Sequence, residues 1–139
     1  MNEPVYTTDI LRLAASLGEP CELEREDGRA EVRSPTCGSR VTLAVQLDED
    51  RRVKRLSMQV HACAFGQASA ALLERHSYGR SHEEVSDAMI ELSRWLANEH
   101  DDPRAWPGIA ALEPARPRKA RHGAILLPFR ALLAAMDAA

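Results

Sequence analysis

The sequence predicts an α+β domain, in which a small three-stranded antiparallel sheet carries four to five packed helices. After one short opening helix, strand-like alternation of apolar and polar residues dominates the first half of the chain, and helical spacing dominates the second half. Strands that precede a run of helices are typical of the α+β class. With 139 residues, the chain has the length of one domain, which we place at residues 1–139.

The first predicted element is a helix near the N-terminus. Either Thr7 or Thr8 can cap it, apolar residues follow at helical spacing, and Gly18 is placed to end it. The next stretch is polar and contains Asp27-Gly28, a pair typical of a turn or a hairpin tip.

Three strands are then expected. Apolar residues alternate with polar ones over residues 41–47 and again over residues 56–62, with a charged turn between the two runs. This spacing predicts neighbouring antiparallel strands. Residues 30–34 form a candidate third strand.

The second half is expected to be helical. Residues 64–78 form an Ala-rich helix, and residues 81–84 (SHEE) form a capping box that opens the next one. A short helix is expected within the proline-rich connection, at residues 109–112. The last helix should start at residues 124–126 or kink, because Pro128 is otherwise poorly tolerated in a helix interior.

Composition excludes several classes of function. The net charge of −3 gives no electrostatic reason to expect nucleic acid as a partner, and no apolar run is long enough to cross a membrane. Three cysteines without a signal peptide indicate a reducing compartment and no disulfide framework. We therefore expect a cytoplasmic, soluble protein.

Two cysteines stand in settings that favour chemistry. Cys37 lies in SPTCGSR (residues 34–40), a turn before a strand, and Cys63 lies in HACAFGQASA (residues 61–70), between a strand and a helix. Both settings offer unpaired backbone N–H groups near a thiol. Two such thiols could share a metal ion or a sulfur atom, although isolated cysteines are more often small core residues. Cys21, in an acidic loop, is interpreted as structural or incidental.

The two motifs and their separation resemble the U-type iron–sulfur cluster scaffold family, the NifU, IscU and SufU proteins. The resemblance extends over nearly the whole chain, and the long connection before the last helix is similar to the SufU branch. It implies that Cys37 and Cys63 correspond to the first two of three cysteine ligands. The family's aspartate ligand falls on Ser39.

The resemblance places the third cysteine on Gly123 or Ala124, neither of which can bind a metal. His122 is adjacent, so the expected metal ligands are Cys37, Cys63 and His122. His61, two residues before Cys63, is expected to be a surface residue on the outward face of a strand. The first two cysteines and residues 122–124 should converge at one end of the sheet.

The resemblance implies a non-enzymatic scaffold that holds iron, zinc or a nascent iron–sulfur cluster. Sulfur would come from a cysteine desulfurase, and apo iron–sulfur proteins would accept the product. Two alternatives stay open: Cys63 or Cys37 carries a persulfide in sulfur transfer, or the chain acts through protein contacts alone. The basic residues 116–121 are interpreted as a solvated linker, with docking to an acidic surface as the alternative.

Overall fold

Three consecutive strands form one antiparallel sheet. The structure, a computed structural model, describes residues 6–35 and 38–139. The strands are β1 (Gly28–Arg33), β2 (Arg40–Leu47) and β3 (Val53–His61), and they are hydrogen-bonded in the order β1-β2-β3. The predicted three-stranded sheet is thereby confirmed.

The central strand separates a core face from an outer face. Val41, Leu43 and Val45 are fully buried on the core face, since residues two apart in a strand point the same way. On the outer face, the backbone N–H of Cys21 donates to Ser57 Oγ at 2.8 Å, which holds the preceding loop against the sheet.

Within the described residues, four α-helices and one 3₁₀ helix complete the fold. They are α1 (Thr8–Ala15), α2 (Ala64–His76), α3 (His82–Leu96), the 3₁₀ helix (Ile109–Ala115) and α4 (Lys119–Asp137). Helix α4 packs on β1 and β2, and α2 packs beside α4 and against β3; α1 then contacts α2, and α3 contacts α4. The predicted α+β class is confirmed. Over the described ranges, no helix is long and apolar enough to cross a membrane.

Helices α1 and α3 begin at the capping residues predicted from the sequence. Thr7 accepts a hydrogen bond from the Ile10 N–H at the start of α1, and Ser81 and Glu84 form the complete capping box of α3. Helix α1 ends at Ala15, before the expected stop at Gly18.

The Asp27-Gly28 pair was wrongly predicted as a turn. Gly28 is the first residue of β1, and the Asp27 carboxylate accepts a hydrogen bond from the Leu47 N–H at 2.8 Å. The Arg25 side chain also binds this carboxylate, and the two contacts lower the pKa of Asp27. The aspartate therefore joins two strands, a role that depends on a partner 20 residues away.

Helix α4 begins at Lys119, earlier than expected, and contains Pro128. Proline has no N–H to donate to the carbonyl four residues before it. That carbonyl belongs to Ala124. The next carbonyl, that of Ile125, accepts a hydrogen bond from the buried Ser69 hydroxyl of α2 at 2.6 Å. Packing between α2 and α4 thus adds a hydrogen bond from a side chain to the backbone of the helical turn that lacks the proline N–H. The periodicity of the sequence does not reveal this bond.

Gly28 lies against α4 so closely that any side chain should destabilise the protein. A Cβ atom at this position would lie 1.9 Å from the Ala135 carbonyl oxygen, a backbone atom that cannot rotate away. We expect Gly28→Ala to lower the free energy of unfolding in urea by about 1–3 kcal/mol or more. Gly18→Ala is the matched control, since its Cβ would meet only the flexible Glu74 carboxylate. Equal stability of the two variants would contradict the close packing.

Candidate functional site

A surface depression of about 430 Å³ lies where three segments of the chain meet. These segments are the turn before β2, the end of β3 and the first turn of α2. The lining residues include two groups that can bind a metal, an imidazole and a thiol. Among the described residues, the lining consists of Gly38, Ser39, Val60, His61, Ala62, Cys63 and Gln67.

The turn before β2 is closed by its own backbone. The Ser34 N–H donates to the Ser39 carbonyl at 2.9 Å, and Gly38 adopts a left-handed conformation with φ of 72° that suits glycine. Thr36 and Cys37 lie outside the described residues. The neighbour of Cys37 in the sequence, Gly38, lines the same depression as Cys63. The convergence of the two cysteines stays a prediction.

Cys63 occupies the N-cap position of α2. Its backbone is extended, with φ of −66° and ψ of 173°, and its thiol is free, half-buried and makes no capping hydrogen bond. Its carbonyl accepts the Gln67 N–H at 2.9 Å, and the Gln67 side chain donates to the Ala62 carbonyl at 3.0 Å. The first turn of α2 therefore holds the Cys63 backbone, while its half-buried side chain makes no capping bond.

Ala124 of α4 packs directly behind this first turn. A Cβ atom at Gly66 would lie 2.6 Å from the Ala62 Cβ and 3.3 Å from the Ala124 Cβ. Glycine thus permits close approach of α4 to α2. Ala124 thus lies beside the first turn of α2, and its methyl group cannot bind a metal. The convergence of residues 122–124 with Cys37 and Cys63 stays a prediction.

His122 lies in a different environment. Its Nε2 atom is 2.9 Å from the Ala115 carbonyl and 3.0 Å from the Arg116 carbonyl, so this nitrogen carries a proton and donates to the end of the 3₁₀ helix. The ring lines a separate depression together with Leu96 and Lys119. The metal role of His122 stays a prediction, and it would have to use Nδ1 or break these bonds.

His61 was not expected in the site. It is the last residue of β3, is exposed, and its ring has no hydrogen-bond or ionic partner among residues 6–35 and 38–139. It nevertheless lines the same depression as Cys63. No signal in the sequence placed it there, because β3 ends at His61 and Ala62 lies in a bend, so strand alternation does not relate His61 to Cys63.

Cys21 is remote from this arrangement. It is exposed and lines a different depression, on the outer face of the sheet beside Thr42 and Ser57. Within the part of the chain that the structure describes, no group of three or more His, Cys, Asp or Glu residues is placed to hold a metal ion. A site at Cys63 with three or more ligands therefore needs Cys37 or a ligand from outside the chain.

Comparison with solved structures finds close matches to the whole fold. A nitrogen-fixing NifU-like protein (N-terminal) from Brucella abortus superposes with a TM-score of 0.86 and 30% identity, over 96% of this chain and 92% of that one. A putative iron–sulfur cluster assembly scaffold protein for the SUF system from Fervidobacterium islandicum AW-1 gives a TM-score of 0.83. Its identity is 20%, with 95% of this chain and 96% of that chain covered, and it therefore supports the fold alone.

Sequence comparison gives a consistent assignment. No curated protein matches the chain. The family model of the NifU-like N-terminal domain matches residues 6–100, which include the turn before β2, all three strands and α2. Because this match covers more than half of the sequence and the Brucella structure is 30% identical over nearly all of it, the chain belongs to the family of NifU-like N-terminal domains.

Proposed function

We propose that this chain acts as a scaffold-like carrier in iron–sulfur cluster assembly, binding iron, zinc or a nascent cluster through Cys37 and Cys63. The observation that carries the proposal is the free, half-buried Cys63 thiol at the start of α2, in a depression that Gly38 also lines. Family membership supports the same role.

The chemistry of the two cysteines suits such a cargo. Thiolates are soft ligands for zinc, ferrous iron and cluster iron. The positive end of the α2 dipole lies beside Cys63 and favours an anionic metal–thiolate complex there. Two protein thiolates leave coordination positions open, so that sulfur from a cysteine desulfurase can enter and an apo iron–sulfur protein can remove the product.

Because this chain lacks the family's aspartate and third cysteine, we expect it to bind its metal ion or cluster weakly. Ser39 offers a neutral hydroxyl in place of a carboxylate, and neither Gly123 nor Ala124 offers a ligand in place of the third cysteine. Each lost anionic ligand removes one metal bond and some charge neutralisation. We therefore expect a site that releases its metal more readily than one with three cysteines and an aspartate.

Sulfur transfer is a second candidate function. It is favoured by the presence of one available thiol at the depression without a complete described ligand set. In this reaction, the Cys63 thiolate attacks the terminal sulfur of a desulfurase persulfide. The S–S bond of that persulfide breaks, the desulfurase thiolate leaves, and Cys63 then carries the sulfur as its own persulfide. No metal is required for this step.

Anaerobic purification separates the two functions. We expect about one zinc or iron ion per chain, or iron together with acid-labile sulfide after incubation with ferrous iron, a cysteine desulfurase and cysteine. A chain that gains only sulfane sulfur on Cys63, detected by mass spectrometry, would support sulfur transfer instead. Neither metal nor sulfane sulfur would contradict both.

A further inference from the structure

We propose that His61, rather than His122, supplies the imidazole ligand for a metal ion bound at Cys63. This inference rests on the proposed function, since it concerns the same depression and the same cargo. It assigns a ligand to a position where the resemblance implies none.

The position of His61 supports the assignment. His61 ends β3, Cys63 begins the cap of α2, and both line the depression of about 430 Å³. Ala62 between them lies in a bend, so the support for their proximity is the shared depression and a separation of only two residues. An imidazole nitrogen and a thiolate at this spacing can reach one ion, given zinc bonds of about 2.0–2.1 Å to nitrogen and about 2.3 Å to sulfur.

The imidazole of His61 is also available to bind. No residue in the described part of the chain forms a hydrogen bond or an ion pair with it. By contrast, the His122 Nε2 atom already donates toward two carbonyl oxygens at the end of the 3₁₀ helix. Arg40 is the residue paired with His61 across β2 and β3, and its guanidinium lies 3.6 Å from the Glu31 carboxylate, which offsets its positive charge.

Among the described lining residues, His61 is the best candidate for a third metal ligand beside Cys37 and Cys63. Gln67 uses its side-chain N–H on the Ala62 carbonyl, Ser39 is a neutral hydroxyl, and Gly38 and Val60 have no donor atoms in their side chains. Imidazole nitrogen is a common ligand for zinc and iron beside thiolates. The family's aspartate and third cysteine ligands are both missing from this chain. In their place, a histidine at the end of β3 supplies a ligand.

Cobalt(II) titration tests this ligand directly, because thiolate charge-transfer bands and d–d bands report separately on sulfur ligation and on geometry. Loss of a residue that only hydrogen-bonds to a metal ligand already lowers metal affinity by about 10- to 100-fold. We expect His61→Ala to weaken cobalt binding at least about tenfold and to alter the d–d bands, with the thiolate bands retained at saturation. His61→Cys should restore affinity and add thiolate intensity. His61 is exposed, so thermal unfolding of the metal-free variants should be unchanged.

His122→Ala is the matched comparison, and NMR of the ring nitrogens gives a second readout. Zinc should shift the His61 ring signals and leave those of His122 in place. If His61→Ala binds cobalt as tightly as the wild type, or if only His122→Ala weakens binding, the assignment of His61 is wrong while the cysteine site stands. If the wild type shows no thiolate bands with cobalt, the proposed function fails together with this inference.

Discussion

Cys63→Ser should weaken zinc binding by about a hundredfold or more. A structural zinc site with four ligands is worth about 10–16 kcal/mol, so one ligand accounts for about 3 kcal/mol, which is roughly a hundredfold in dissociation constant. Serine preserves the size of the side chain, and the Cys63 side chain makes no capping bond that the change could disrupt. Competition titration with a chromogenic zinc chelator measures the effect.

Cys21→Ser is the control for the loss of a thiol. Cys21 is exposed on the outer face of the sheet and contacts a different depression. This variant should bind zinc like the wild type. If Cys63→Ser retains wild-type affinity, or if Cys21→Ser loses it, the depression at the start of α2 does not hold the metal.

Ala124→Cys should produce the opposite effect, a gain of affinity by up to about a hundredfold. Ala124 lies against Gly66, which in turn lies against Ala62 at the edge of the depression. A sulfur added there would stand next to the first turn of α2, where a third thiolate could complete the ligand set. The same reasoning of about 3 kcal/mol per ligand gives the expected size of the gain.

Ala131→Cys is the matched control for this gain. Ala131 is also a fully buried alanine of α4, located about two turns further along the helix and away from the start of α2. It should leave the zinc affinity unchanged. If both variants gain affinity equally, the added thiols bind zinc nonspecifically. If Ala124→Cys gains none in a folded protein, position 124 does not face the metal.

The elements that follow from local rules were predictable from the sequence. The capping box at Ser81 and the strand β2 were predicted from residues close together in the chain, and the structure confirms both. The predicted alternation holds only at the start of β2, because Ala44 and Gln46 are buried as well. Asp27 was misinterpreted because its role depends on Leu47 in a neighbouring strand.

Helix α4 begins at Lys119 rather than at residues 124–126, and the predicted alternative of a kink at Pro128 stays open. The bond from Ser69 to the Ile125 carbonyl depends on packing against α2, which the sequence pattern does not show.

In the candidate site too, some residues could be identified from the sequence and others only from the structure. Cys63 was identified from its setting at a strand–helix junction, and the structure places it at the cap of α2. His61 was set aside because an exposed strand residue is usually solvated, and only the shape of the surface shows that it shares a depression with Cys63. His122 was selected for its position in the sequence, which does not reveal its hydrogen bonds to the 3₁₀ helix.

The shared cysteine site is tested most directly by X-ray absorption spectroscopy of the zinc-loaded protein, which counts the sulfur atoms bound to the metal. We expect two sulfur ligands at about 2.3 Å, with nitrogen or oxygen ligands at about 2.0–2.2 Å completing the shell. Cys37→Ser and Cys63→Ser, loaded at saturating zinc, should each retain one sulfur. A shell of nitrogen and oxygen alone in the wild type, or a sulfur count that Cys37→Ser leaves unchanged, would contradict binding of one metal ion by Cys37 and Cys63.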